Sequence, residues 1–176
     1  MSENLKSVIS LTLICLVVSS AVVFSHRITK PHIDRASNEA AFDAIKVVLP
    51  DAKNFNEIDV SKEILTEYGC TFLRKSEDSS AVAIQIEARG YQQGLVVMVG
   101  IGADKKISGV HVVQHAETEG IGTRAMTKDY LSAYKGKENT ENIDLLSGAT
   151  YTSEGIKNAV ENALGLFDRI KGELNR

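Results

Sequence analysis

Val8 to Ser25 is a run of 18 residues without a charge, Val-Ile-Ser-Leu-Thr-Leu-Ile-Cys-Leu-Val-Val-Ser-Ser-Ala-Val-Val-Phe-Ser. At about 1.5 Å of rise per residue it reaches roughly 27 Å as a helix, close to the thickness of a bilayer core. A cleaved secretory signal is the competing reading, because Val23 and Ser25 offer a small-residue cleavage site. The run outlasts a usual signal core of about 7–15 residues. The reading adopted is therefore an uncleaved transmembrane anchor over residues 1–30, followed by a domain over 31–176. Lys6 and the amino-terminal amine stand against Glu3 before the run, while Arg27, Lys30 and Arg35 follow it. A literal positive-inside count would leave the large domain in the cytoplasm, although that rule weakens for long translocated domains.

Beyond Pro31 the spacing predicts a helix from Ile33 to Leu49. It places Ile33, Ala36, Ala40, Ala41, Ala44, Ile45 and Val48 on one face, and Pro50 closes it. This helix continues the membrane helix as a stalk that packs on the domain. From about Phe55 to Ala103 the chain reads as strands. Over Ser80–Ala88, Val82, Ile84 and Ile86 alternate with Gln85 and Glu87 on the opposite face, and Leu95–Ile101 is a continuous apolar run suited to a buried central strand. Arg89–Gly94 reads as a turn between them. Asp104-Lys105-Lys106 is a tight hairpin turn into a strand from Ile107 to Val113, and Ser76–Ser80 is a polar loop. Strands followed by helices predict an α+β domain with an antiparallel sheet and flanking helices.

The last helix is written in the spacing of Ile156, Ala159, Val160, Ala163, Leu164, Phe167, Ile170 and Leu174. Before it runs Asp144-Leu145-Leu146-Ser147-Gly148-Ala149-Thr150-Tyr151-Thr152-Ser153, a hydroxyl-rich turn. Thr152 or Ser153 can cap the helix, and Gly148 and Ala149 let backbone come close to a ligand. Free N–H groups at a helix start, with the positive end of its dipole, favour a phosphate. The bland alternative is a capped helix start and no more. A second constellation follows the last strand: His115-Ala116-Glu117-Thr118-Glu119-Gly120-Ile121-Gly122. Taken alone it is a candidate acid/base or metal pair, or an ordinary loop with two glycines for unusual backbone angles.

Composition narrows the function. A formal net charge of −3 and the absence of tryptophan argue against a nucleic-acid partner. Cys15 lies inside the apolar run, so pairing with Cys70 is not expected. There is no Cys-x-x-Cys and no second cysteine pair to indicate an iron–sulfur cluster, a haem attachment or a zinc site. If electrons pass through this chain, an organic cofactor carries them.

The pattern Asp144-x-x-Ser147-Gly148-Ala149-Thr150-x-Thr152 resembles the site at which a flavin transferase attaches FMN to threonine. The His115–Gly122 loop is similar to the H-x-E-T-x-G-[LI]-G loop of the FMN-binding domains of Rnf-type and Nqr-type redox pumps. Glu119 stands where that loop usually has proline, and Gly90-Tyr91 resembles the family's Gly-Tyr turn. Length and the tight amino-terminal anchor look more like the G subunit of the Rnf complex than like the longer C subunit of Nqr.

The resemblance implies FMN joined to Thr150 through a phosphodiester, with Asp144 recognised by the transferase. It implies a flavin held among Ser147, Gly148, Ala149, Thr152, Glu117, Thr118, Gly120, Ile121, Gly122, Gly90 and Tyr91. It further implies an extracytoplasmic domain on a single membrane span, acting as an electron relay in a complex that couples ferredoxin, NAD or a quinone-like carrier to ion translocation. The partners would be the other subunits of the complex, the transferase and membrane lipid. A free-standing membrane-anchored flavoprotein, a protein like the C subunit of Nqr and a binding module without cofactor are the alternatives.

Overall fold

The computed structural model describes residues 3–78 and 80–174. The amine of Met1 and position 79 of the expected Ser76–Ser80 loop lie outside the described residues. The first helix, α1, runs Glu3–Val48 and contains Pro31. Compact units divide between Glu39 and Ala40. In the first unit α1 is long and apolar enough to cross a membrane, and its large apolar side chains from Val8 to Phe24 are all exposed. Exposed apolar surface of that extent is atypical of a face turned to water.

The second unit is built on one five-stranded antiparallel sheet in simple sequence order, β1 (Phe55–Glu57), β2 (Cys70–Ser76), β3 (Ala81–Ala88), β4 (Leu95–Gly102) and β5 (Ile107–Gln114). The β3–β4 pairing is continuous from Ala81↔Gly102 to Ala88↔Leu95. The expected hairpin turn at 104–106 is present. Asp104 Oδ1 accepts from the Lys106 N–H at 3.1 Å, and Lys105 takes a left-handed φ of 68°.

The pleat sends alternate residues to two buried faces. Val82, Ile84, Ile86, Val97, Val99 and Ile101 join a core with the last helix, α4 (Thr150–Leu174). Phe72, Ala81, Ala83 and Met98 meet Ala41, Ala44, Ile45, Val48 and Leu49 on the other face. Gly100 and Gly109 are register partners, and both lie under Val48. A Cβ would come 2.8 Å from the Val48 carbonyl at Gly100 and 3.1 Å from Val48 Cα at Gly109. The pair leaves a flat patch where helix backbone rests on the sheet.

This second cover corrects the expectation for β3. Gln85 is 5 % exposed and not solvated; its Nε2 donates to Thr71 Oγ1 at 2.9 Å. Of the expected α1 face, Ala41, Ala44, Ile45 and Val48 are buried, whereas Ile33, Ala36 and Ala40 are exposed. Lys62–Glu67, inside the segment expected to be strands, forms a short helix, α2. Leu95–Ile101 is buried as expected apart from half-buried Val96, but β4 is fourth of five, and β3 holds the centre. On α4 the predicted stripe from Ile156 to Ile170 is buried, with Leu166 added beside it; the side chain of Leu174 is outside the described ones. Each full burial of such an aliphatic or aromatic side chain contributes about 1.5–3 kcal/mol.

Cys15 and Cys70 are both free thiols. Burial pushes the Cys70 thiol up to about 11, against a smaller lowering by its hydrogen bond to the Phe72 carbonyl. Thiolate is the reactive form, so at pH 8 Cys70 should alkylate about a hundredfold more slowly than an ordinary thiol and accelerate towards pH 11. Iodoacetamide labelling followed by mass, in a Cys15→Ser chain, checks this.

Candidate functional site

Three segments far apart in sequence converge at the start of α4. Leu146-Ser147-Gly148-Ala149 is a turn closed by the Ala149 N–H on the Leu146 carbonyl at 2.9 Å, with Gly148 at φ +81° in its third position. That angle is what a type II turn demands there, and glycine adopts it without strain. The first helical bond, Ser153 N–H to the Ala149 carbonyl at 2.9 Å, follows at once. Thr150 is therefore the first residue of α4.

This corrects the expected cap. The hydroxyls of Thr152 and Ser153 lie inside the first turn and are spent elsewhere. Ser153 Oγ donates to the Thr150 carbonyl at 2.9 Å and accepts from the Leu146 N–H at 3.1 Å. Thr152 Oγ1 donates to Glu117 Oε2 at 2.7 Å. The N–H groups of Thr150, Tyr151 and Thr152 precede the first helical bond, so the helix itself supplies them no acceptor. Arg124 stands beside the turn, its Nη1 3.0 Å from where a Gly148 Cβ would sit.

The second segment is the loop after β5. Glu117 is 7 % exposed. Besides Thr152 it holds the third segment, accepting the Gln92 N–H on Oε1 at 3.0 Å. Gly90 has no room for a Cβ because Glu117 Oε1 fills that space, and a Cβ on Gly122 would lie 2.7 Å from Glu117 Oε2 and 2.9 Å from Thr152 Oγ1. Gly155, one turn along α4, lets the Arg89 carbonyl approach to 2.6 Å of its would-be Cβ. Thr118 opens a short reverse turn whose carbonyl accepts from Ile121 at 3.2 Å and Gly122 at 3.0 Å, and the Gly120 N–H donates to Thr123 Oγ1 at 2.9 Å. Those three N–H groups are engaged inside the loop, and exposed Thr118 lines the cleft.

The result is an open cleft of about 230 Å³ lined by Tyr91, Glu117, Thr118, Ile121, Gly122, Gly148, Ala149, Thr150, Tyr151 and Thr152. Thr150 and Ile121 are exposed, while Ala149 and Thr152 are buried. Four expected residues stand outside the lining. Ser147 is exposed on the turn, Gly120 takes φ +76° with open space around it, and Gly90 borders a neighbouring cleft of about 490 Å³ with Arg89, Glu154 and Asn158. Asp144 is exposed upstream, its carbonyl accepting from Tyr130 Oη at 3.0 Å.

Two residues that the sequence reading does not single out join the site, Tyr151 and Arg124. Tyr151 pairs with Tyr91 at 6.2 Å between ring centroids. Both are exposed and divide the two clefts. An aromatic directly after Thr150, and an arginine two residues past Gly122, were the available signals.

An exposed hydroxyl, first-turn N–H groups without a helical acceptor and a guanidinium suit a phosphate ester, and Tyr91, Ile121 and Tyr151 suit a flat ring. Residues 90–165 match the FMN-binding domain family. Nearly the whole chain also aligns with the G subunits of redox pumps. The G subunit of the proton-translocating ferredoxin:NAD(+) oxidoreductase complex of Clostridium ljungdahlii is 26% identical over 88% of this chain and 86% of its own length. The G subunit of the ion-translocating oxidoreductase complex of Stutzerimonas stutzeri is 26% identical over 89% and 77%, and that of Methanosarcina acetivorans 24% over 97% of each. The chain is a distant homologue of these G subunits over nearly its full length. The FMN-binding match in this G-subunit homologue begins at Gly90, so it takes in all three converging segments.

Proposed function

We propose that the chain is the flavin-bearing electron relay of an ion-translocating oxidoreductase complex, with FMN joined to the Thr150 hydroxyl through a phosphodiester. The observation that carries this is the contrast between two threonines of one helical turn. Thr150 is exposed on the cleft, whereas Thr152 is 1 % exposed and bound to Glu117. Attachment would form a bond from Thr150 Oγ1 to the flavin-side phosphorus of FAD and break the pyrophosphate bond. AMP would depart with the bridging oxygen, and the threonine proton would pass to the transferase, which would recognise Asp144.

The remaining roles follow from position. First-turn N–H groups of α4 and Arg124 hold the ester's negative charge. Tyr91, Ile121 and Tyr151 give apolar contact to the ring, with Thr118 as hydrogen-bond donor. Bound FMN supplies one- and two-electron transfer. At about 230 Å³ the cleft is smaller than the roughly 300–1,000 Å³ of enclosing ligand sites, so it leaves part of the ligand open to a redox partner. The names of the relatives support ferredoxin and NAD as the ends of the chain of carriers and ion movement as its output. The exposed apolar run of α1 supports a membrane anchor; the reading that residues 31–176 lie outside the cytoplasm rests on the family resemblance, against the charge count.

Full-length chain made with the transferase should give a fluorescent band on a denaturing gel and leave the membrane with its partners in the complex. A non-fluorescent band would reduce the Thr150 turn to a plain helix start, and fluorescence without partners would indicate a free-standing carrier. For sidedness, a Cys15→Ser, Glu141→Cys chain should react with a membrane-impermeant maleimide on intact cells. Reaction only after lysis would place the domain in the cytoplasm.

A further inference from the structure

We infer that Glu117 is a positioning residue, which locks the Tyr91 turn and the Glu117–Gly122 loop onto the first turn of α4 and so sets the ring-binding residues against the Thr150 tether. This rests on the flavin reading above and deepens it. Both carboxylate oxygens are taken by the protein, Oε2 by the Thr152 hydroxyl at 2.7 Å and Oε1 by the Gln92 N–H at 3.0 Å. Neither is left to bind a ring. The side chain is buried, and glycines on two different segments, Gly90 and Gly122, vacate the volume that it fills. One carboxylate thus joins residues 92, 117 and 152, with Tyr91 directly before the first and Thr150 two positions before the last. The lining of the cleft comes from these same segments. Without Glu117 the Gln92 N–H and the Thr152 hydroxyl lose their common acceptor. Each segment then keeps its own local structure but loses its setting relative to the others.

Substitution chemistry separates positioning by hydrogen bonds from an effect of charge. Glutamine preserves the lock, because its carbonyl accepts the Gln92 N–H while its amide donates to a rotated Thr152 hydroxyl. Alanine removes both bonds. The test compares E117Q, E117A and T152V in the full chain, first with Thr150→Ala so that no flavin is attached, then with Thr150 and the transferase. In the flavin-free chains, hydrogen exchange at the Gln92 amide should accelerate at least tenfold in E117A and stay near the parent rate in E117Q. In the loaded chains, E117A should keep in-gel fluorescence but shift the visible flavin spectrum, T152V should shift it in the same direction by less, and E117Q should match the parent. Unchanged Gln92 exchange in E117A would overturn the inference, whatever becomes of the flavin. So would an E117Q spectrum displaced as far as that of E117A, since charge beside the ring would then be the cause. If E117A does not fold, T152V against E117Q carries the same comparison. A parent chain that never acquires flavin would refute the flavin reading and leave the exchange result standing.

Discussion

Thr150→Ala should abolish covalent flavin completely and leave the domain folded. The side chain is exposed at the first position of α4, and its hydroxyl is not part of the network that holds the turn. That network uses the Thr150 carbonyl, the Ser153 hydroxyl and the Leu146 N–H, all retained in the variant. Exposed substitutions of this kind usually change stability by no more than about 0.5 kcal/mol. In-gel fluorescence should vanish, while urea unfolding of the variant should overlay that of the flavin-free parent. Retained fluorescence would move the attachment elsewhere.

Gly122→Val should act in the opposite way, leaving the flavin on Thr150 but disturbing everything around it. Its Cβ would lie 2.7 Å from Glu117 Oε2, 2.8 Å from Glu117 Cβ and 2.9 Å from Thr152 Oγ1. None of these atoms is the free end of a long exposed chain, because Glu117 and Thr152 are both buried. Overpacking of a filled site and loss of buried hydrogen bonds together cost about 2–4 kcal/mol. The expected outcome is a lower unfolding midpoint, a shifted flavin spectrum and persistent fluorescence on a denaturing gel. Gly120 offers a control within the same loop. It has open space around it but a φ of +76°, so Gly120→Val carries backbone strain without that clash. An unchanged spectrum in Gly122→Val would remove the loop from the flavin's surroundings.

Sequence carries the elements of this fold better than it carries their meeting. Period-2 alternation at Val82, Ile84 and Ile86, the apolar run of β4 and the stripe of α4 are local patterns, and local patterns give element type. The hairpin turn at Asp104–Lys106 is legible for the same reason. The fate of Gln85 is not, because its burial depends on residues 41–49 covering the second face of the sheet. Helix onset is misleading in sequence because a hydroxyl near a helix start reads as a cap. Here Thr152 is drawn off by Glu117, and Ser153 is turned back on the Leu146–Thr150 turn. Spacing also cannot express the meeting of residues 90–92, 117–122 and 148–152. That meeting is made by α4 lying on the sheet and by a carboxylate whose partners are distant in sequence. Family likeness points to Glu117, Gly90 and Gly122 together. Their geometry adds that both glycines make room for the same side chain.

Peptide mass spectrometry of the chain from transferase-containing cells tests the central claim most directly. The account predicts one flavinylated peptide, spanning residues 144–157, with fragment ions that place the FMN phosphate on Thr150 and leave Thr152 unmodified. An unmodified peptide, or FMN on Thr152 or any other residue, would contradict it.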